Sequence, residues 1–236
     1  MISFAGVSSD EANVIVERFP SRPIPARRYT VQQIPGRSGD LLFDQGVYDN
    51  ITQTYEVYVN HNGMTWQQSM RLAAAWMSAP GYQELWDSYD PETFRLAYFA
   101  GPADFSNALN QLGRATINFS CKPWRFLFSG TMPVTLTASG SIENPTDFNA
   151  LPLIQIRGSG AGQLEIDGYI VNISDIDDGM IIDSELMDCY SGQNNRNSLL
   201  TLTPQFEFPQ LQPGVNNIVI SGGITSVIIR PRWRSL

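Results

Sequence analysis

Histidine occurs once in 236 residues, as His61, and cysteine twice, as Cys121 and Cys189. That scarcity excludes much of the usual chemistry of an active site. A serine or cysteine nucleophile needs a base to take its proton, most often an imidazole. Only His61 could serve, and Asn60-His61-Asn62-Gly63 reads as a solvated polar turn. Metal centres of the zinc type need closely spaced Cys and His ligands, whereas Cys121 and Cys189 stand far apart. Cys121 falls on the apolar side of an alternating stretch, so a buried free thiol is expected. A Cys121–Cys189 disulfide would tie the two halves of the chain together, but a cytoplasmic origin argues against it.

Positive charge is also short. Fifteen Lys and Arg against 23 Asp and Glu leave a net charge of −8. A protein that grips nucleic acid needs a basic face to displace counterions. The one local candidate is Arg230, Arg232 and Arg234 near the C-terminal end. An acidic surface repels phosphate, which suits a channel through which nucleic acid must pass without sticking. Met1 to Glu11 lacks the basic start and apolar run of a secretory signal, and no apolar run has the length of a membrane span. The sequons at Asn50, Asn118 and Asn172 are then chance matches.

Two motifs look chemical and fail on inspection. Gly158-Ser-Gly-Ala-Gly162 resembles a phosphate loop, but no helix follows to supply N-terminal amides. Gln163 to Ile166 reads as a strand, which makes the glycines a hairpin turn. Asp175-Ile-Asp177-Asp178-Gly179 resembles a calcium loop. Gly179, Met180 and Leu186 occupy the places of an oxygen ligand, the turn glycine and the bidentate glutamate. Asp178-Gly179 is instead a pair suited to a tight turn. No catalytic residue, cofactor site or metal site is expected, and the chain does not read as an enzyme.

Nineteen Gly and 15 Pro are scattered among short alternating stretches. From Arg114 to Gly130 the apolar residues Ala115, Ile117, Phe119 and Cys121 recur every second position, and Trp124, Phe126 and Phe128 resume after Lys122-Pro123. These are read as the closing strands of a first domain, the proline stopping the ladder between them. Asn13–Phe19, Arg27–Ile34, Ile51–Val59, Tyr82–Trp86 and Phe94–Phe99 are further strand candidates. Residues 34–50 form either a projecting loop or a long, partly paired arm. One helix is expected, capped by Thr65 with Gln68. Trp66, Met70, Ala73 and Met77 give it an apolar stripe that Leu72 and Trp76 widen.

Beyond a turn-rich joint at 138–146, strands are expected at 151–157, 163–166, 169–173, 180–182, 186–190, 217–220 and 224–230. Ser221-Gly222-Gly223 would be the hairpin turn between the last two. The fold class is mainly β, with domains at 1–135 and 140–236. The first is a sheet or barrel with one helix, the second an antiparallel sandwich.

The order of several segments resembles the phage distal tail proteins, the Dit family of siphophages and prophages. They are Gly81-Tyr-Gln-Glu-Leu-Trp-Asp-Ser-Tyr-Asp-Pro91, Arg95-Leu-Ala-Tyr98 and Cys121-Lys-Pro-Trp-Arg-Phe126, then Pro152-Leu-Ile-Gln-Ile156, Ile181-Ile-Asp-Ser184 and Cys189-Tyr190. Phe208-Pro209, Asn216-Asn217 and Ile229-Arg-Pro-Arg-Trp233 complete the set. The resemblance implies an N-terminal tail-tube-like, ring-forming domain and a C-terminal galectin-like β-sandwich. It further implies a homohexameric ring at the tail tip of the virion, assembled in the host bacterial cytoplasm. Such a ring joins the tail tube protein to a tail-associated lysin, fibre or hub protein, and its sandwiches anchor receptor-binding proteins. DNA would cross the channel unread, without sequence-specific binding. The 12–34 strands and the 34–50 segment are the candidates for an inter-subunit arm. The competing reading is a carbohydrate-binding module, which would need Tyr169, Tyr190 and Trp233 as a stacking platform.

Overall fold

A computed structural model of the chain describes residues 1–60, 62–103, 105–108, 112–177 and 179–236. The readings of His61 and of the Asp178 half of the Asp178-Gly179 turn lie outside them. The chain divides into two compact units, residues 1–125 with Leu236, and residues 126–235.

The first unit contains β1 (Ile2–Phe4), β2 (Val7–Ser8), β3 (Val14–Val16), β4 (Arg27–Gln32), β5 (Leu41–Tyr48) and β6 (Ile51–Val59). Helix α1 (Trp66–Met77), β7 (Gln83–Asp87), β8 (Thr93–Phe99), β9 (Ser106–Ala108) and most of β10 (Leu112–Leu127) follow. The main sheet runs β2-β1-β7-β8-β10-β6-β3. Its centre is antiparallel, Gly113 facing Val59 and Cys121 facing Ile51 across β10 and β6. Tyr55, Val57, Ile117, Phe119 and Cys121 alternate inward on these strands and are buried, the outcome a period of two dictates.

Helix α1 closes this core. Thr65 Oγ1 accepts from the Gln68 amide at 3.3 Å, and Gln68 Oε1 accepts from the Thr65 amide at 2.9 Å, so two orphan donors are satisfied at once. Ala73, Trp76 and Met77 are buried, with Trp66 and Met70 partly so. Trp76 meets Phe4 and Phe119 edge-on at 6.3 and 6.4 Å. Leu72, expected in the stripe, is exposed; one position before Ala73, it is turned about 100° from the buried face.

Strand β10 corrects the reading of 114–130. It is continuous through Lys122-Pro123. The described pairing with β6 ends at Cys121, so the missing proline N–H falls beyond that ladder. Residues Phe128–Thr131 form a 3-10 turn rather than a strand end.

The second unit holds β11 (Val134–Leu136), β12 (Gly140–Asn144), β13 (Leu153–Ile166), β14 (Tyr169–Ile173), β15 (Met180–Asp183) and β16 (Asp188–Ser191). Then come β17 (Asn194–Asn195), β18 (Leu200–Thr203), β19 (Gly214–Arg230) and β20 (Arg234–Ser235). The division at 125/126 lies upstream of the 135–140 joint suggested by the sequence, and bonds on both sides of the 3-10 turn explain it. The Leu127 amide donates to the Trp233 carbonyl at 3.0 Å, and the Arg232 amide to that of Gly130 at 2.8 Å. Strand β11 then pairs with β19, and so does β12, which lies inside the supposed turn-rich joint.

Two expected hairpins do not exist. Gly158–Gly162 lies within β13 and Ser221–Gly223 within β19, and these two long strands pair along their whole length, from Leu153 facing Arg230 to Ile166 facing Ile218. The register shifts at Gly158 and again by Gly162, so the glycines form an irregular bend in a two-stranded spine. Each half of the spine recruits different neighbours. Residues 153–156 pair with β15 and 162–166 with β14, while on β19 the start pairs with β12 and the end with β11. Ile154 and Ile156 from one half share a core with Leu164 and Ile166 from the other, as when strands pass from one layer of a sandwich to the next.

Candidate functional site

The feature of the first unit that its core does not explain is the β4–β5 ribbon. These strands pair with each other in a separate two-stranded sheet, Tyr29 facing Asp44 and Gln32 facing Leu41. The 34–50 segment is thus an arm rather than an unpaired loop. Every β4 residue is exposed, and β5 is little better covered. Val31 is 54% exposed, Leu42 57% and Phe43 51%, and Tyr29 and Val47 are exposed too. Tyr29, Val31 and Leu42 occupy one face and Phe43 the other. An isolated ribbon with apolar side chains open to water on both faces is marginal by itself.

Its base is fixed more firmly. Arg27 pairs with Asp44 at 2.5 Å and Arg28 with Asp49 at 2.5 Å. The hydrogen bond from Arg27, with one from the Gly46 amide, holds the Asp44 carboxyl below its ordinary range. Tyr48 meets Trp124 edge-on at 5.5 Å. Upstream, Arg18 pairs with Glu56, and the Phe19 ring lies 4.1 Å from that of Tyr89.

The residues singled out in the second unit are not gathered into a site. Arg232 does not belong to a basic patch: its Nη1 and Nη2 donate to the two oxygens of Asp183 at 2.7 and 3.0 Å. Arg234 Nε donates to the Asn149 carbonyl at 2.6 Å, which leaves Arg230 exposed at the end of β19. Trp233 is 5% exposed and packed in the core, so it offers no face for a sugar ring. Cys121 and Cys189 are buried free thiols. Asp177 pairs with Arg196 at 2.8 Å. Among the described residues no group of three or more His, Cys, Asp or Glu is placed to hold a metal ion. No helix among them is long and apolar enough to cross a membrane.

Asp183 is 3% exposed. Burial would raise its pKa, but the hydrogen bonds and charge of Arg232, with the Leu186 and Glu185 amides, outweigh that and lower it. A depressed carboxylate contributes stability that is present above its unfolded pKa and lost as pH falls through the folded value. The thermal stability of the second unit should therefore fall below about pH 4. Arg232→Ala should cost about 3 kcal/mol at pH 7 by leaving the carboxylate buried and unpaired, and should flatten that acid dependence. Melting curves from pH 2 to 7 check both; parallel curves for the two proteins would refute the assignment.

No family model and no curated protein sequence matches the chain. Among solved structures it is similar to the crystal structure of the SPP1 Dit (gp 19.1) protein, described as a paradigm of the hub adsorption apparatus in phages that infect Gram-positive bacteria. The TM-score is 0.74, at 14% sequence identity, over 100% of this chain and 98% of that one. The fold is that of a phage Dit protein.

Within the Dit fold, the segments that carried the resemblance are structural. In Gly81–Pro91, Asp87 Oδ1 accepts from the Tyr89 and Asp90 amides at 3.0 and 3.1 Å, and Trp86 Nε1 donates to the Pro91 carbonyl at 3.1 Å. They fix the β7–β8 turn. The sequence reading missed Arg95, an arginine on the buried phase of β8 alongside Ala97, whose Nη1 donates to the carbonyls of Lys122 at 3.4 Å and Pro123 at 2.8 Å. A charge at an inward position of an alternating strand was the signal available.

Proposed function

We propose that the protein is a non-enzymatic hub of a phage tail tip, forming a hexameric ring that joins the tail tube to a lysin, fibre or baseplate protein. The observation that carries this reading is the end-to-end match to a Dit hub protein, with nothing of either chain left over beyond 2%. The exposed apolar arm supports it. A ring is built from head-to-tail contacts that close, and a ribbon unable to bury its own faces gains most from lying on the next copy. The net charge of −8 suits a channel that lets DNA pass without binding it. The outward sandwich would carry receptor-binding proteins, and the particle would be assembled in the host bacterial cytoplasm. Light scattering should give about 158 kDa, six times the 26.3 kDa chain, or twice that for stacked rings, with a central hole in negative-stain images. Absence of rings both alone and with tail tubes added would overturn it.

A further inference from the structure

Between β18 and the turn that joins β15 to β16, the second unit carries an open apolar groove of about 490 Å³. Leu200, Leu202 and Phe208 line it, each half-buried against the core. Met187 and Phe206 line it too, yet they are 66% and 80% exposed. Both stand on left-handed backbone, with φ of +52° and +67°, a conformation disfavoured for side chains of this size. Two large apolar side chains held out in water on strained backbone point to something that covers them.

The strand beside the groove determines what that is. Among the described strands β18 pairs with β14 alone. The Ser174 amide donates to the Leu199 carbonyl at 3.0 Å, which sets the alternation of the ladder: Thr201 and Thr203 turn their backbone groups to β14, and Leu202 turns its amide and carbonyl outward. The Leu200 carbonyl points outward as well, while its amide donates to the Asn197 carbonyl. Open backbone groups beside apolar side chains accept an added strand. On that strand the residue opposite Leu202, with those two positions before and after it, shares the face of the Leu202 side chain.

The rim of the groove is acidic. No Lys or Arg lines it, and nearby Arg196 is paired with Asp177. Glu207 is exposed between Phe206 and Phe208, and Asp188 Oδ1 accepts from the Asn197 side-chain amide at 2.7 Å at the border of the groove. Basic residues therefore suit the ends of the added strand.

We propose that this groove receives a short extended strand of a second protein, paired with β18, its alternate apolar side chains set against Met187, Leu202 and Phe206 and its ends basic. The proposal deepens the hub reading and rests on it only for the second protein being one that the tail tip carries.

The probe is a fluorescein-labelled seven-residue peptide of alternating valine and threonine between terminal arginines, titrated into the full chain by fluorescence anisotropy. It should bind saturably and slow hydrogen exchange of the Leu202 amide. Proline at the central position of the peptide removes the N–H that meets β18 and should weaken binding about tenfold. Phe206→Asn should lose about tenfold in affinity as an aromatic anchor does, yet melt about 3 °C higher in the second unit, because asparagine tolerates left-handed backbone. No saturation up to millimolar peptide, equal binding of the proline peptide, or a lower melting temperature in Phe206→Asn would overturn the proposal. Light scattering of the same samples separates the alternatives. Rings without peptide binding leave the hub reading standing and remove this one, and a smaller particle in Phe206→Asn would assign the groove to a second copy of the chain instead.

Discussion

Replacing residues 36–48 with a three-residue turn is expected to convert rings of six into single chains while leaving both units folded. The replaced residues include the whole of β5, with Tyr48 at its base and the apolar side chains of Leu42, Phe43 and Val47. None of the buried core of the first unit lies in this stretch, so its melting temperature should move little. The arm's five large apolar side chains, Tyr29, Val31, Leu42, Phe43 and Val47, are exposed in the single chain. Full burial of such a side chain contributes about 1.5–3 kcal/mol. If a neighbouring copy covers half of each, one interface gains roughly 5 kcal/mol, about three to four orders of magnitude in its dissociation constant. A loss of that size breaks a ring at micromolar concentration. Val31→Asp and Phe43→Asp should each shift the equilibrium part of the way, because they place a charge on opposite faces of the ribbon. Light scattering and negative-stain images are the readout. Intact rings after the 36–48 replacement would refute the arm as the closing contact, and unfolding of the first unit would refute its independence from the core.

Much of the fold was legible because burial imposes a period. Ile51–Val59 matches β6 residue for residue, and the helix begins after Thr65, where the capping pair with Gln68 places it. The arm was visible only as an ambiguity, since a ribbon open on both faces has no buried side to impose alternation. Arg95 hid for a related reason: its Nη1 bonds the Lys122 and Pro123 carbonyls of β10, partners about 30 residues away that spacing along β8 does not reveal. The larger error concerns glycine. Short glycine runs between alternating stretches signal hairpins, but the same residues permit bends within a continuous strand. Only the partner strand decides between them, and for Gly158–Gly162 the partner is about 60 residues away in Gly222-Gly223.

That distinction yields a prediction with opposite rank order under the two readings. Were Ser221–Gly223 a hairpin turn, Gly223 would tolerate alanine, because it does not have a positive φ. In the paired spine a Cβ on Gly223 would lie 1.8 Å from the Ser159 carbonyl oxygen and 3.1 Å from that of Ala161. These are backbone atoms of the facing strand, held by pairing on either side, and they cannot rotate away. Gly223→Ala should therefore force the strands apart and cost about 3 kcal/mol, the upper end for overpacking. For a unit of this size that corresponds to a fall of roughly 10 °C or more in melting temperature. Gly160 gives the comparison. It has a φ of +68° and nothing within 4 Å of an added Cβ, so Gly160→Ala meets only the left-handed backbone penalty of about 1–2 kcal/mol. Calorimetry of the full chain should place the second-unit transition lowest for Gly223→Ala, intermediate for Gly160→Ala and highest for the unaltered protein. Rings should survive in both variants, because assembly is assigned to the first unit. If Gly160→Ala proves the more damaging change, the continuous spine is wrong, and with it the account of how the two layers of the sandwich share their longest strands.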